Sequence, residues 1–358
     1  MTPIPADAPP EEAPVLVRIE GEFGRLTLNR PRALHALTTQ MCALMIDALL
    51  AWRDAPAVRA VLIDHAGPKG FCAGGDIRAI AQSGAGDGVA ARAFFHAEYQ
   101  LNALLFDYPK PLVAIMDGVV MGGGVGISAP ANYRIATERT TFAMPETGIG
   151  LFPDVGGGWF LPRLPGEAGM WLALTGARIK AADCLLLGLA TDYVASADVE
   201  ALKAALIARP DAIDAVITEF EAEAGQPALA EHQDAIARTF AGDSVEGVFD
   251  SLAKDGSPWA AAQLEVLKTK SPQALKVAHR QLREGARIGR FDDEMAVEYR
   301  LATRICRLPD FAEGVRAVIV DKDNAPRWSP TSLAGVRDDM IDEIFAPLPA
   351  GEDWSPLS

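Results

Sequence analysis

Residues 116–161 read MDGVVMGGGVGISAPANYRIATERTTFAMPETGIGLFPDVGGGWFL. Five glycines fall between Gly118 and Gly126, and three more stand together at Gly156, Gly157 and Gly158. Glycine loses more freedom on folding than any other residue, so such clusters mark a backbone that turns sharply or must be approached closely. The apolar run Leu112–Met116 leads into the first cluster as a strand, and the residues after it read as a short helix. A strand that empties through glycines into a helix N-terminus presents unpaired N–H groups. Those groups suit a carbonyl oxygen gaining negative charge, or a phosphate. Between the two clusters stand two carboxylates with few cationic neighbours, Glu146 and Asp154.

The whole chain has 358 residues, 49% of them hydrophobic and 23% charged, enough for a sizeable globular core. Its formal charge of −15 argues against a nucleic-acid surface, which needs clustered Lys and Arg. A small phosphorylated ligand needs only a few local cations and stays open. Cys42, Cys72, Cys184 and Cys306 lie far apart with no C-x-x-C spacing, so neither a metal site nor a disulfide framework is expected. They read as small apolar residues buried in a reducing compartment. Residues 1–14 are proline-rich and acidic, without a basic n-region, an apolar h-region or the arginines of a transit peptide. They are expected to be a disordered tail on a cytoplasmic protein. Pro111–Ala131 carries a single charge, Asp117, but its glycines and two prolines make it a poor membrane span. No membrane partner is expected, and self-association into a homo-oligomer stays open.

Outward from the glycine clusters, strands and helices alternate. Val15–Ile19 and Arg25–Leu28 form a candidate hairpin, and Thr38 caps a helix carrying Met41, Leu44, Met45, Ala48 and Trp52 at helical spacing. Arg59–His65 reads as a buried strand, followed by the loop GPKGFCAGGD and a helix that Asp76 is expected to cap. Ala90–Asp107 is helical; strands follow near Leu112–Met116, Tyr133–Ala136 and Thr140–Ala143, with helices near Gly166–Leu174 and Lys180–Leu187. After Val194 the texture turns helical, with Ser271-Pro272 opening one helix, and the tail from Pro347 reads as loose. His96 and His279 lie in helical patterns as structural histidines, and Cys72 reads as packing.

Gly124-Val125-Gly126-Ile127-Ser128-Ala129 matches the dinucleotide fingerprint G-x-G-x-x-A formally, with Glu146 twenty residues beyond Gly126 where a ribose-binding acid would stand. Pro130 argues against it, because the fingerprint's helix continues past that point. P-loop, zincin and serine-hydrolase signatures are absent from the sequence.

FCAGGDI (Phe71–Ile77), the MGGGVGIS run and MPETGIGLFPDVGGGWFLPRL (Met144–Leu164) together resemble the enoyl-CoA hydratase/isomerase, or crotonase, superfamily, and within it a hydrolase branch. The resemblance runs from about Val15 to Trp328 and takes in SPQALKVAHRQLREGA, EYRLATR and DFAEGVRAVIVDKDNAPRW. It implies an α/β fold: a crotonase-like β-β-α spiral core over residues 15–200 holding the CoA and catalytic site, then a helical C-terminal region over 201–358. It implies an acyl-CoA substrate and no separate cofactor, since CoA is part of the substrate. The oxyanion-hole donors fall on the Gly75 and Gly123 N–H groups, and substrate-binding positions on Phe71, Ala73, Gly74, Asp76 and Gly122. Arg32 and Arg78 are candidates for the CoA phosphates, with a solvated surface role as the alternative for each.

Hydratases of this superfamily use two glutamates. One matches Glu146; the other falls on Gly126, which can neither hold nor deprotonate a water. Losing one acid–base group costs about 10²–10⁴-fold, so hydration is disfavoured. Asp154 is the group this chain has in addition. The implied activity is hydrolysis of a short branched β-hydroxyacyl-CoA thioester, with 3-hydroxyisobutyryl-CoA of valine breakdown the expected substrate. Glu146 would be the nucleophile or the base that activates water, and Asp154 would position the second group or handle a proton. The rival readings are hydration or isomerisation of another acyl-CoA, and a CoA-binding subunit without turnover.

Overall fold

The chain begins with an antiparallel hairpin. β1 (Val15–Glu20) and β2 (Phe23–Leu28) pair with Val15 opposite Leu28 and Glu20 opposite Phe23, and the turn uses Gly21 at φ +58°. The computed structural model describes residues 13–68 and 70–357, so most of the expected N-terminal tail lies outside the described residues. Helix α1 (Thr39–Arg53) starts where expected: Thr38 Oγ1 accepts a hydrogen bond from the Met41 N–H at 3.2 Å. It lays Met41, Cys42, Met45, Leu49 and Trp52 into the core and returns the chain to β3 (Ala60–His65), parallel to β2.

The remaining strands alternate between two sheets. β4 (Leu112–Met116), β6 (Tyr133–Ala136) and β9 (Asp192–Tyr193) extend the first sheet in parallel, giving the order β1-β2-β3-β4-β6-β9. β5 (Val119–Met121), β7 (Thr141–Ala143) and β8 (Ile179–Lys180) form a second sheet, with β5 and β7 parallel. Each turn of chain thus gives one strand to each sheet and then a helix: β4, β5 and α4 (Gly123–Ser128), then β6, β7 and α5 (Gly157–Phe160). Before them, β3 leads to α2 (Ile77–Gly84) and α3 (Val89–Phe106), with Cys72 bridging to Val120 as a one-residue member of the small sheet. This is the β-β-α spiral the sequence implies. The strands too short to read locally, β5, β8 and β9, are defined by their partners rather than by periodicity.

Next come α6 (Ala168–Thr175), α7 (Ala181–Leu186), α8 (Val199–Ala208), α9 (Ile213–Phe220), α10 (Gln233–Thr239) and α11 (Val245–Asp255). Then follow α12 (Pro258–Lys268), α13 (Pro272–Gly285), α14 (Phe291–Ile305), α15 (Pro309–Val315) and α16 (Asp338–Phe345). The main core cluster runs through both the strand-rich and the helical stretches, while α8 and α9 cover the other face of the large sheet through Leu202, Leu206, Val216 and Ile217. There, Asp64 accepts bonds from Arg25, Thr27 and Lys203, so a buried charge is fully paired. All four cysteines are buried and free. No helix among the described residues is long and apolar enough to cross a membrane.

The C-terminal segment is not loose as its composition suggests. Asp353 pairs with Arg300 through two bonds of 2.9 and 2.8 Å, and Trp354 is buried at 4% exposure. The tryptophan and this ion pair anchor a segment that its prolines alone would leave free. Ahead of α16, a wide helical turn (Arg316–Val320) and the irregular chain to Trp328 form a strap that lines part of the cavity described next. Trp328 Nε1 donates to Thr269 O at 2.9 Å and fixes the far end of that strap.

Candidate active site

Two backbone segments meet to form the floor of the site. Cys72 N donates to Val119 O at 2.8 Å and Met121 N to Cys72 O at 3.0 Å, pinning the FCAGGD loop against β5. Gly74 and Gly122 then lie in contact: a Cβ on Gly122 would stand 3.3 Å from Gly74 Cα and 3.2 Å from Glu146 Oε1. Gly122 itself takes φ 48°, ψ −123°, and a Cβ on Gly123 would fall 2.5 Å from Glu98 Oε1. At Gly122 the positive φ disfavours any other residue, and at Gly123 a side chain would have to displace the ends of Glu98 and Leu37. Gly123 opens α4, so its N–H has no intrahelical partner. Among the described residues neither the Gly75 nor the Gly123 N–H is bonded elsewhere. Two free donors on adjoining loops can receive one oxyanion.

These loops border a cavity of about 530 Å³ that Ala73, Gly74, Gly75, Gly122, Gly123, Glu98, Glu146 and Asp154 all line. Apolar walls come from Ile77, Ile80, Phe94, Phe95, Ile149 and Leu151, and the strap adds Val318, Ile319, Asn324 and Pro326. Among the described residues, Arg178 and Lys270 are the cations that line it. The shape fits a ligand with an apolar arm and a charged end.

Three buried carboxylates, Glu98, Glu146 and Asp154, share this space, at 2%, 5% and 5% exposure. Burial pushes the Glu146 carboxyl well above the usual range, with the charge of Asp154 adding to it and Lys270 opposing it. Glu98 is pushed well up by burial, then by Asp154 and Glu146. Asp154 rises to about 6 through burial, held back by the Tyr99 hydroxyl, which donates to Oδ2 at 2.8 Å. Asp154 therefore lies near balance around neutral pH. Glu98 Oε1 and Glu146 Oε2 have no partner among the described residues, which leaves both acids unpinned on that side. Lys270 is shifted down by burial and by Arg178 beside it.

Several positions named from the sequence stand elsewhere. Phe71 is fully buried beneath the loop and does not line the cavity. Asp76 makes no capping bond to α2; with backbone angles of −75° and 72° it is not in the extended cap conformation, and its carboxylate pairs with Arg30 at 3.2 Å. Arg32 and Arg78 are exposed and are not among the lining residues, while the Arg78 guanidinium donates at 3.3 Å to the O of Ile319, which lines the cavity. His279 bonds Gly242 O, and His96 packs on Tyr299.

Sequence reading missed Glu98, Tyr99 and Asn102. All three lie on the buried face of α3 among Phe94, Phe95, Leu101 and Leu105. An acid and an amide four apart inside an apolar helical stripe were the available signal. Asn102 explains the gap at Gly126: a Cβ there would meet Asn102 Nδ2 at 2.6 Å and Val155 Cβ at 2.7 Å. The space where a second glutamate would start is filled.

With the spiral, the paired N–H loops and the buried acids in view, the class is defined. The chain belongs to the enoyl-CoA hydratase/isomerase family, whose match spans residues 23–345. Among its relatives is the protein named "3-hydroxyisobutyryl-CoA hydrolase, mitochondrial" of Danio rerio, 45% identical over 93% of this chain and 90% of that one. Its Homo sapiens counterpart is 42% identical over 93% and 89%. The word mitochondrial in these names overturns the cytoplasmic location expected from the N-terminal residues. Among solved structures, a carnitinyl-CoA dehydratase from Mycobacterium thermoresistibile superposes with a TM-score of 0.90 at 42% identity, covering 94% of this chain and 97% of that one. An enoyl-CoA hydratase from Rhodobacter sphaeroides 2.4.1 gives 0.88 at 39% identity, covering 96% and 100%. The fold is crotonase-like.

The raised Asp154 has a measurable consequence for stability. Its ordinary value is 3.8 and its folded value about 6, so across that window the folded chain binds more protons than the unfolded chain. The contribution of Asp154 to stability therefore falls as pH rises from about 4 to about 6. In Asp154→Asn this contribution disappears, and the slope of unfolding free energy against pH, measured in urea, should be more positive than in the parent over the same window. An unchanged slope would mean Asp154 is not held up by its surroundings.

Proposed function

We propose that the protein hydrolyses an acyl-CoA thioester, 3-hydroxyisobutyryl-CoA, to 3-hydroxyisobutyrate and CoA, a step of valine breakdown. The observation that carries the reading is the pairing of an unpinned Glu146 with two free N–H donors while the place of a second glutamate, at Gly126, is filled by Asn102 and Val155. The hydrolase names of the relatives support it. The dehydratase and hydratase titles of the two solved structures favour a second reading, water addition or removal at a double bond, and the Gly126 packing disfavours it.

In the reaction, the thioester oxygen lies on the Gly75 and Gly123 N–H groups. With the proton on Asp154 and Lys270 opposing the effect of burial, the Glu146 carboxylate attacks the carbonyl carbon and the two donors hold the resulting oxyanion. The C–S bond breaks, and the thiolate takes a proton from Asp154. Water then attacks the anhydride, gives its proton to Asp154, and releases the acid and Glu146. Direct activation of water by Glu146 uses the same groups without the anhydride. Asp154 suits the proton role because its affinity, raised to about 6, lies near neutrality. Arg178 and Lys270 would meet the anionic part of CoA, in place of Arg32 and Arg78. None of these steps uses a metal or a further cofactor.

Glu146→Gln keeps the volume and removes both nucleophilicity and basicity. Hydrolysis should fall to background while a nonreactive CoA analogue still binds by calorimetry; retained turnover would remove Glu146 from the chemistry. Gly126→Glu should not convert the enzyme to a hydratase, because the new side chain starts against Asn102 and Val155. Crotonyl-CoA absorbance should stay flat with that variant, and a loss of thermal stability of about 1–3 kcal/mol is expected from overpacking. Rapid hydration by the single substitution would contradict the packing account.

A further inference from the structure

Outside the cavity lining, α14 carries two acids one helical turn apart, Glu294 and Glu298, each 0% exposed. Glu298 Oε2 accepts from Gly156 N at 2.8 Å, and Oε1 accepts from Gly158 N at 3.0 Å and from Gln281 Nε2 at 3.2 Å. Gln281 Nε2 also donates to Pro153 O at 2.9 Å. The turn that presents Asp154 is thus tied on both sides of that residue to α13 and α14. It needs tying. Val155, a β-branched residue, takes φ +54°, and Gly156 follows at φ +91°. Such a conformation persists only where the surroundings over-determine it.

The two acids differ in their partners. Both oxygens of Glu294 lack a hydrogen bond among the described residues, and burial pushes that carboxyl up to about 8. Glu298 is pushed up by burial, by Glu294 and by Asp154, and pulled down by the Gly156 and Gly158 N–H groups. The Gly156 and Gly158 N–H bonds favour the charged form of Glu298 against its burial, and Gln281 adds a third donor.

We propose that Glu298 is a positioning residue for Asp154: its carboxylate clamps the Pro153–Gly158 turn and so sets where the Asp154 carboxyl meets the substrate. This rests on the reading that Asp154 exchanges a proton during hydrolysis. The clamp acts on the backbone of the turn, while the Tyr99 hydroxyl fixes the side chain from α3. The clamp also acts through charge. Asp154 is faced by Glu98 and Tyr99 from α3, by Glu146 from the turn after β7, and by Glu298 from α14; Lys270 stands nearer to Glu146. A negative Glu298 favours the protonated form of Asp154.

The test is a cycle of Glu298→Gln, Glu298→Asp and Asp154→Asn, read by steady-state kinetics across pH with thiol release from 3-hydroxyisobutyryl-CoA. Glu298→Gln places an NH₂ against N–H donors and removes the charge. Its kcat should fall roughly 10²-fold, the usual cost of displacing a reacting group by about 1 Å, with KM unchanged. The limb of the pH–rate profile that Asp154→Asn lacks should move to lower pH. Glu298→Asp keeps the charge but shortens the reach, so kcat should fall while that limb stays in place. In the Asp154→Asn background, Glu298→Gln should have no further effect. Wild-type kcat and pH profile in Glu298→Gln, or losses that simply multiply in the double variant, would overturn the inference. Asp154→Asn at wild-type rate would instead overturn the reading of Asp154, and this inference with it. If thermal unfolding shows that Glu298→Gln does not fold, Gln281→Met cuts the same clamp at Pro153. Its loss of kcat should likewise vanish in the Asp154→Asn background, and no loss, or a multiplying one, would overturn the inference.

Discussion

Everything at the site depends on a short piece of backbone pairing, Cys72 with Val119 and Met121. Two hydrogen bonds bring a loop from the first turn of the spiral against the glycine run of the second. The contact is backbone to backbone with Gly74 and Gly122 at positive φ, and it leaves the neighbouring N–H groups of Gly75 and Gly123 unbonded among the described residues beside one cavity. Fixed backbone dipoles need no reorganisation when charge develops on a substrate oxygen, which is why such donors are effective in a dry cavity. The third turn of the spiral then delivers Glu146 and Asp154 to the same place.

The resulting arrangement works against stability. Three carboxyls share one cavity, and two more, Glu294 and Glu298, are buried nearby. Burying ionisable groups with few partners costs free energy that a hydrophobic filling would not. The chain offsets part of that cost with specific donors: Tyr99 for Asp154, two glycine N–H groups and Gln281 for Glu298. Away from the site the pattern is reversed. Asp64, equally buried, has Arg25, Thr27 and Lys203 around it and is held below the ordinary carboxylate range by them. Asp64 is fully paired, whereas the under-paired acids Glu98, Glu146 and Glu294 lie at the cavity or on α14 behind the Asp154 turn.

Much of this was legible in the amino-acid sequence because the signals are local. Glycine clusters after apolar runs gave the loops, and Glu146 and Asp154 stood out between them. Periodicity gave α1, α3 and the main strands. What could not be read was what depends on contacts across the chain. Glu98 and Asn102 look like interruptions of an apolar helix face until α4 packs against α3 and puts Glu98 beside Gly123 and Asn102 beside Gly126. Arg178 and Lys270 come to the cavity from positions 92 residues apart in the chain, with no shared motif. Asp76 follows the composition of a cap, but Arg30 draws its carboxylate away. The tail after Pro347 has the composition of a loose end, and Trp354 docks it.

The most direct measurement of the central claim is the rate of thiol release from 3-hydroxyisobutyryl-CoA set beside the rate of water addition to crotonyl-CoA, on the same preparation with and without EDTA. The account predicts rapid thiol release that chelation leaves unchanged, and little or no change in crotonyl-CoA. Hydration of crotonyl-CoA faster than hydrolysis of any hydroxyacyl-CoA would contradict it.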